Sequence, residues 1–219
     1  MDVMPRTPTS PDLEALSAEA VLGHVVREHH PRLAVACSFQ KEASVIVDML
    51  VKIQPDVRIF TLDTGVLFPE TYDTWRRIEA RYGIQIEVFR GDWVDGLWAT
   101  DPEACCGMRK VEPLARALDG VDAWITGLRR EQSPLRASTP KLGWDIKHDK
   151  WKAAPLADWT DKDVWRYIAA NDVPYNPLHD QGYASIGCTP CTQAGDGRDG
   201  RWAGSDKSEC GLHVQQPAA

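Results

Sequence analysis

The chain has 219 residues, of which 43% are hydrophobic and 26% are charged, a composition typical of one globular α/β domain with a substantial core. Its formal net charge of −7 argues against nonspecific nucleic-acid binding, which requires a basic surface. No apolar run approaches the roughly 20 residues of a membrane-spanning helix, and the first residues lack the basic-then-apolar pattern of a secretion signal, so we expect a cytoplasmic protein.

The first half of the chain predicts strands that alternate with helices. Residues 1–10 are rich in Pro, Thr and Ser and predict a disordered arm, after which Ser10-Pro11 predicts the start of a helix. Apolar patterns then predict strands over residues 33–36, 57–62 and 84–89 and helices over residues 41–52 and 69–82.

The second half continues this alternation and ends in a loop-rich tail. The predicted elements are a helix over 108–118, a strand over 123–126, a hairpin within 133–155, and a helix from a Thr160–Asp163 capping box to about residue 170. This succession favours a doubly wound, mostly parallel sheet whose ligands bind beyond the carboxyl ends of the strands. We therefore assign residues 11–195 to one α/β domain and residues 196–219 to a mobile C-terminal tail.

Two loops at the predicted carboxyl edge of the sheet carry polar residues suited to a nucleotide. The loop from Ser38 to Ser44 joins a strand to a helix, where backbone N–H groups can hold a phosphate, although a serine-capped turn explains it equally well. It is not a Walker A loop, because the G-x-x-x-x-G-K-[ST] pattern is absent. Asp63-Thr64-Gly65 can contact a ribose or phosphate, or can form a simple β-to-α turn.

Clustered basic residues are informative in a chain of negative net charge. They lie beside cysteines or in loops rich in small residues, at Lys110, Arg129, Arg130, Arg136, Arg198 and Arg201. Such clusters predict that the ligand is a small anion.

Five of the six cysteines fall into three groups. Cys105-Cys106 and Cys188-x-x-Cys191 supply four thiols, which suit zinc, an iron–sulfur cluster or a redox dithiol. In a reducing cytoplasm such thiols bind metals or act in catalysis more often than they form disulfides. Adjacent cysteines converge poorly on one zinc ion, so the pattern favours a [4Fe-4S] cluster, whose iron corners are separated.

Cys210 is a solitary thiol near the end of the chain. It is either an incidental tail cysteine or a nucleophile whose segment can move between an active site and a protein reductant. His213 and the Arg198/Arg201 pair are expected to lower the pKa of this thiol and to hold an anionic substrate. Cys37 lies in an apolar strand and is interpreted as a buried core residue.

Six segments together resemble the assimilatory adenosine 5′-phosphosulfate reductases of bacteria and plants. They are Leu-Asp-Thr-Gly at 62–65, Cys-Cys-Gly-Met-Arg-Lys at 105–110, Thr-Gly-Leu-Arg-Arg at 126–130, Tyr-Ala-Ser-Ile-Gly at 183–187, Gly-Cys-Thr-Pro-Cys-Thr at 187–192 and Glu-Cys-Gly-Leu-His at 209–213. The resemblance extends from about residue 33 to residue 213, and the three cysteine motifs make it specific.

The resemblance implies a fold like that of the adenine-nucleotide hydrolases and ATP pyrophosphatases, with the adenosine at the carboxyl edge of the sheet. It implies one [4Fe-4S] cluster, held by Cys105, Cys106, Cys188 and Cys191, that assists substrate binding and electrostatics rather than carrying electrons. The implied substrate contacts are Lys110, Arg198, Arg201 and His213 at the phosphosulfate, Ser38 in the phosphate loop, and Asp63, Thr64, Gly65 and Arg129 in the matching motifs.

The resemblance also implies the reaction. The Cys210 thiolate would attack the sulfur of adenosine 5′-phosphosulfate and expel AMP, and a thioredoxin- or glutaredoxin-like dithiol would then release sulfite. Such an enzyme serves sulfate assimilation and cysteine biosynthesis, has no nucleic-acid or membrane partner, and is compatible with a homo-oligomer.

One loop departs from the family pattern, and other interpretations stay open. Many members read Ser-Phe-Gly-Ala-Glu-Asp where this chain has Ser-Phe-Gln-Lys-Glu-Ala at 38–43. Cluster-free relatives lack both cysteine pairs and use the 3′-phosphorylated substrate, so the pairs favour the unphosphorylated nucleotide, although some cluster-bearing members accept both. The rival classes are an ATP-pyrophosphatase-type enzyme, which adenylates a substrate or thiolates tRNA, and a noncatalytic redox or metal-sensing protein.

Overall fold

The computed structural model describes residues 12–202 and 207–213. Its centre is a six-stranded sheet of β1 (Leu33–Ala36), β2 (Arg58–Leu62), β3 (Glu87–Phe89), β4 (Ala123–Ile125), β5 (Leu142–Asp145) and β6 (Lys150–Ala153). The strand order is β3-β2-β1-β4-β6-β5, and every adjacent pair is parallel except β5 and β6. The predicted doubly wound, mostly parallel fold is confirmed. The predicted N-terminal arm lies outside the described residues.

Helices cover the sheet, and side-chain caps explain where two of them begin. The helices are α1 (Ala18–His29), α2 (Lys41–Ile53), α3 (Pro69–Tyr82), α4 (Leu97–Thr100), α5 (Pro102–Cys106), α6 (Glu112–Ala117) and α7 (Asp161–Asn171). The Thr160–Asp163 capping box begins α7, as predicted. Within the described residues, the first α-helix begins only at Ala18, because the Ser17 hydroxyl accepts from Ala20 N–H, and Leu13–Ala15 before it form a short 3-10 turn.

The hairpin predicted within residues 133–155 extends the central sheet. Its second strand, β6, pairs with β4 in parallel, from Ala123–Trp151 to Ile125–Ala153. Its first strand, β5, then forms the antiparallel edge. The sheet therefore carries two more strands beyond β4 than the four alternating strand–helix units indicate.

The helix predicted over residues 108–118 is divided into two parts. Gly107–Val111 forms a wide π-helical turn, and the regular helix α6 begins only at Glu112. Pro113 has no N–H to donate, which suits the first turn of a helix and not its interior. The irregular turn directly follows Cys106 and contains Lys110, so it lies in the segment that carries the predicted chemistry.

Apolar side chains on both faces of the sheet form the core. Leu33 and Val35 pack with α1, α2 and α7 on one face, while Ala34 packs with Leu114 of α6 on the other, as the two-residue period of a strand requires. Cys37 is 2% exposed in the first of these clusters, which confirms its assignment to the core. In the described ranges, no helix combines the length and apolar character needed to cross a membrane.

Candidate active site

A cavity opens at the carboxyl ends of β1, β2 and β4. Seven of the predicted site residues border it, namely Ser38, Thr64, Lys110, Arg198, Arg201, Cys210 and His213. This edge is where open α/β sheets bind ligands, because the loops that follow parallel strands meet there. The fold thus brings together residues from the phosphate loop, the first cysteine segment and the C-terminal segment.

The floor of this cavity is apolar and aromatic. Phe60 of β2, Trp124 of β4 and Leu114 of α6 border it and are almost fully buried. The His213 ring stacks on the Trp124 indole, with ring centroids 5.6 Å apart and planes 9° apart. An apolar floor next to cations suits a ligand that joins an aromatic base to an anionic group.

His213 is held in its neutral form. Burial, together with the nearby Lys152 and Arg136 cations, lowers the pKa of His213 well below its ordinary value. Its Nδ1 is buried and has no hydrogen-bond partner within the described residues. At neutral pH, His213 therefore offers a hydrogen bond and an aromatic surface, and it adds no positive charge.

The phosphate loop has a constrained backbone. Phe39 has a φ angle of 58°, in the left-handed region that non-glycine residues seldom adopt. Its buried ring stacks on Trp75 with centroids 5.2 Å apart, which holds this conformation in place. Helix α2 begins directly afterwards at Lys41, so its free N–H groups and positive end lie beside Ser38 and Gln40 at the border of the cavity.

Gln40 joins the phosphate loop to the segment that precedes Cys188. Its Oε1 accepts hydrogen bonds from Ile186 N–H at 2.9 Å and from Ser185 Oγ at 3.4 Å. The glycine of the family pattern implied by the resemblance has no side chain to make these bonds. The departure in the phosphate loop therefore adds a direct tie between two loops of the site.

Arg201 is buried against the backbone of Gly187. Its Nη1 donates to Ser185 Oγ at 3.2 Å and to Ile186 O at 3.3 Å, while its Nε is buried with no partner among the residues that the structure describes. A Cβ atom at position 187 would come within 2.3 Å of Arg201 Nη2, so the absence of a side chain at Gly187 permits this placement. A buried guanidinium with an unused donor at the border of the cavity suits an anionic ligand.

Replacing Gly187 with alanine is expected to displace the Arg201 side chain and to weaken binding of AMP, the nucleotide product that the resemblance implies, by roughly 10- to 100-fold, the worth of one charge-assisted hydrogen bond. The melting temperature should change little, because the end of a flexible side chain can move away from the new methyl group. Calorimetric titration with AMP measures the affinity. Gly23→Ala in α1 is the matched control, and an unchanged affinity in Gly187→Ala would show that Arg201 does not hold the ligand.

The four cysteines predicted to bind a metal centre surround a second, smaller cavity. It is bordered by Cys105, Cys106, Cys188 and Cys191 together with Trp98, Arg109 and Lys110. All four thiols are free. Residues more than 80 positions apart in the chain thus meet at one place, as the spacing of the cysteine motifs predicts.

Cys188 is the most readily ionised thiol of this set. Burial opposes its ionisation, but Lys110 and the Thr64 hydroxyl outweigh that effect and lower the pKa of Cys188. Thr64 Oγ1 lies 3.2 Å from Cys188 Sγ. Burial raises the pKa of the other three thiols, to about 11 for Cys106. The thiolate is the form that binds a metal, so the surroundings of Cys188 favour ligation.

Lys110 borders both cavities and is the cation that they share. Burial disfavours its charge, but the neighbouring sulfur atoms of Cys188 and Cys210 raise the pKa of Lys110 above its ordinary value. Lys110 is therefore protonated at neutral pH between the predicted metal ligand and the predicted nucleophile.

The chemistry of the donor set fits an iron–sulfur cluster. Thiolates are the usual ligands of a [4Fe-4S] cluster, and four free cysteines border one cavity. Within residues 12–202 and 207–213, no three His, Cys, Asp or Glu side chains converge closely enough to hold a single metal ion. A [4Fe-4S] cluster does not require such convergence, because each of the four thiolates binds a different iron atom.

Asp63 has protein partners and does not border the larger cavity. Its carboxylate accepts from the Tyr72 hydroxyl at 2.7 Å and from Gly65 N–H at 2.9 Å, and it pairs with Arg90 at 2.7 Å. Burial opposes ionisation, but the Gly65 N–H and the Tyr72 hydroxyl lower the pKa of Asp63. The carboxylate thus stabilises the turn that presents Thr64 to the cavity.

Arg129 also has protein partners and borders a neighbouring cavity. Its guanidinium pairs with Glu42 at 2.9 Å, with Glu131 at 2.8 Å and with Asp161 at 3.0 Å. These carboxylates neutralise its charge and connect α2 to the beginning of α7. Arg129 therefore holds the beginning of α7 against α2 beside this neighbouring cavity.

Arg136 and Glu209 form a contact at the site that sequence reasoning did not find. Arg136 borders the larger cavity, and its Nε and Nη2 donate to the two carboxylate oxygens of Glu209 at 2.9 and 2.8 Å. The sequence placed Arg136 in a general basic group and gave Glu209 no function. The available signals were its position directly before Cys210 and its place in the Glu-Cys-Gly-Leu-His segment.

Comparison with known proteins supports these observations. Residues 32–194 match the family model of the phosphoadenosine phosphosulfate reductase domain. A protein of Bacillus pumilus (strain SAFR-032) named adenosine 5′-phosphosulfate reductase is 48% identical over 210 residues, which cover 90% of this chain and 90% of that protein.

Solved structures give the same picture of the fold. The phosphoadenylyl-sulfate reductase of Candida auris, solved as a phosphate complex, matches with a TM-score of 0.74 and 33% identity, over 82% of this chain and 91% of that one. The FMN adenylyltransferase of Candida glabrata matches with a TM-score of 0.62 at 12% identity, over 79% and 60% of the two chains, and supports the fold alone.

Proposed function

Because this chain belongs to the phosphoadenosine phosphosulfate reductase domain family, we propose that it reduces adenosine 5′-phosphosulfate to sulfite and AMP in sulfate assimilation. The single observation that carries the proposal is that Cys210 borders the same cavity as the phosphate loop and Lys110. The relatives are oxidoreductases by name, and this geometry gives the chain a nucleophile beside an anion site.

The first step is nucleophilic attack by Cys210. Its thiolate attacks the sulfur of the nucleotide, a bond forms between the two sulfur atoms, and the bond from that sulfur to the bridging oxygen breaks. AMP leaves with the electron pair, and the enzyme keeps an S-sulfonate. Lys110, Arg198 and Arg201 offset the charge on the sulfonate and the departing phosphate.

The second step consumes a dithiol, for which a thioredoxin- or glutaredoxin-like protein is the proposed donor. One thiolate of the donor attacks the Cys210 sulfur and releases sulfite, which leaves a mixed disulfide. The second donor thiolate then breaks that disulfide and restores Cys210. The donor becomes a disulfide, and its two electrons account for the reduction of the sulfonate to sulfite.

The nucleotide is expected to lie across the cavity with its base on the apolar floor. Trp124 and Leu114 would contact the adenine, and Ser38 with the first N–H groups of α2 would contact the phosphate. The neutral His213 ring closes one side of this volume and excludes water from the reacting sulfur.

Cys105, Cys106, Cys188 and Cys191 would hold the proposed [4Fe-4S] cluster. When bound, such a cluster would supply a fixed charge distribution next to Lys110. Lys110 then orients between that charge and the substrate anion, which keeps its ammonium group directed at the cavity.

The 3′-phosphorylated nucleotide is the second candidate substrate, because the Candida auris relative is named for it. The two cysteine pairs favour the unphosphorylated nucleotide. Iron-loaded protein should be incubated anaerobically with each nucleotide in turn, with thioredoxin and its reductase, while sulfite and AMP are measured. We expect equal amounts of sulfite and AMP from adenosine 5′-phosphosulfate and a lower rate from the 3′-phosphorylated form.

The same assay separates the other classes. An ATP-pyrophosphatase-type enzyme would release pyrophosphate from ATP, and a noncatalytic sensor would form no product. Absence of sulfite from both nucleotides, in iron-loaded protein that still binds AMP, would reject the proposed function.

A further inference from the structure

The Cys210 segment is held in the cavity by polar contacts on both sides of the cysteine. Before it, the carboxylate of Glu209 accepts two hydrogen bonds from Arg136, at 2.9 and 2.8 Å. After it, the carbonyl oxygen of Gly211 accepts a hydrogen bond from Lys147 Nζ at 2.6 Å. The cysteine therefore lies between two anchors on different parts of the fold.

The Arg136–Glu209 pair is the more enclosed of the two anchors. The exposed fractions of the two side chains are 11% and 20%, whereas the Lys147 bond lies in an exposed setting. A bidentate pair of opposite charges is directional and strong when little water competes with it. The pair therefore fixes the position of residue 209, and with it the adjacent nucleophile.

All three nitrogens of Arg136 are engaged by protein acceptors, whereas in Arg198 only one nitrogen is engaged with the described residues. The third nitrogen of Arg136, Nη1, donates to Gln132 Oε1 at 2.5 Å. In Arg198 only Nη2 is engaged with the described residues, through bonds of 3.0 Å to Glu209 and to Ser208 O. Arg136 therefore binds the C-terminal segment, whereas Arg198 can bind this segment and an anion at the same time.

From these contacts we propose that Glu209 is a positioning residue that docks Cys210 at the sulfonate of the nucleotide by binding Arg136. The inference rests on the proposed function, in which Cys210 is the nucleophile. Correct placement of reacting atoms to within about an ångström changes rates by orders of magnitude. If the Glu209 carboxylate instead competed with the substrate for the arginines, it would slow the reaction. Removal of the carboxylate would then raise the rate of S-sulfonation, whereas the proposal predicts a lower rate.

The first test measures transfer of the sulfonate in a single turnover without reductant. Mass spectrometry of quenched samples follows the peptide that contains Cys210. Glu209→Gln and Arg136→Gln are each expected to slow S-sulfonation by roughly 10- to 100-fold, and the double variant should be no slower than the slower single variant, because the two residues act as one unit. Glu209→Gln should bind AMP normally, and Glu209→Asp, which keeps the charge, should recover part of the rate.

The matched control is Asp122→Asn. Asp122 forms an equally bidentate pair with Arg32, at 2.7 and 2.8 Å, away from the residues that border the cavity. Loss of this carboxylate removes the same charge from the chain, and the rate of S-sulfonation should equal that of the protein without substitutions. An equal loss in Asp122→Asn and Glu209→Gln would overturn the proposal.

The second test needs no activity. Without nucleotide, Cys210 should react with iodoacetamide several-fold faster in Glu209→Gln and Arg136→Gln than in the unmodified protein, because the docked segment is released. Unchanged alkylation, or tighter nucleotide binding with faster S-sulfonation in Glu209→Gln, would overturn the proposal. If the unmodified protein forms no S-sulfonate, it is the proposed function that fails, and the alkylation rates alone then decide whether Glu209 docks the segment.

Discussion

Cys210→Ser is expected to bind adenosine 5′-phosphosulfate and to release no sulfite above background. Serine has nearly the same shape as cysteine, so the contacts of Glu209 and Gly211 on either side should persist. A hydroxyl at neutral pH is a much poorer nucleophile than a thiolate. We expect a loss of roughly 10⁴-fold or more, as is usual when an enzyme loses its nucleophile.

Two measurements check this result. Calorimetric titration gives the affinity of the variant for the nucleotide, and a coupled assay gives the rate of sulfite release. In the unmodified protein without reductant, one SO3 group should appear on the peptide that contains Cys210, together with an equal amount of AMP. The variant should form neither product.

Ser208→Ala is the control from the same segment. The Ser208 side chain is exposed, and its described hydrogen bond is made by the backbone carbonyl, so the variant should react normally. Sulfite release at the normal rate from Cys210→Ser would contradict the mechanism directly. An SO3 group on another cysteine of the unmodified protein would move the nucleophile to that residue.

Local patterns in the sequence were sufficient for most of the fold. The apolar run at 33–36 leads into a polar turn at Ser38, the Thr160–Asp163 capping box fixes the beginning of α7, and the order of strands and helices implies the parallel sheet. The two cysteine motifs are also recognisable as short local patterns, from which one shared metal centre is predicted. These features depend on neighbours in the sequence, which is why they could be predicted.

Features that depend on distant partners could not be predicted in the same way. Nothing local indicates that β6 pairs with β4, because strand pairing is decided by the whole sheet. The partners of Asp63 and Arg129 are also set by tertiary structure, so residues in a matching motif have protein partners where contacts to substrate were expected. The Arg136–Glu209 pair joins residues 73 positions apart and has no sequence signature of its own.

The charge of the site illustrates the same limit. The chain is acidic overall, yet Lys110, Arg198 and Arg201 gather at one cavity. The sequence identifies these residues as clustered cations, but only the fold shows that Arg129 is neutralised by carboxylates while Arg201 Nε has no partner among the described residues. Burial and pairing therefore determine which cations are available to an anionic ligand.

Cys188→Ser is expected to remove most of the iron from the protein. Anaerobically prepared unmodified protein should be brown and contain about four irons per chain, as a [4Fe-4S] cluster requires. Cys188 is the thiol whose surroundings lower its pKa, and its knuckle is tied to the sheet edge by the 2.8 Å bond from Thr189 N–H to Val66 O. A serine hydroxyl binds iron poorly in place of thiolate, so the variant should be nearly colourless.

Cys37→Ser is the matched control for this experiment, since it makes the same change in a buried cysteine outside the donor set and should keep its iron. About one tightly held zinc per chain in the unmodified protein, or full iron in Cys188→Ser, would contradict the assignment. Loss of the cluster should also weaken AMP binding in Cys188→Ser, because Cys188 contacts Thr64 at the border of the larger cavity. That coupling follows from Lys110, which borders both cavities and would lose the partner that orients it.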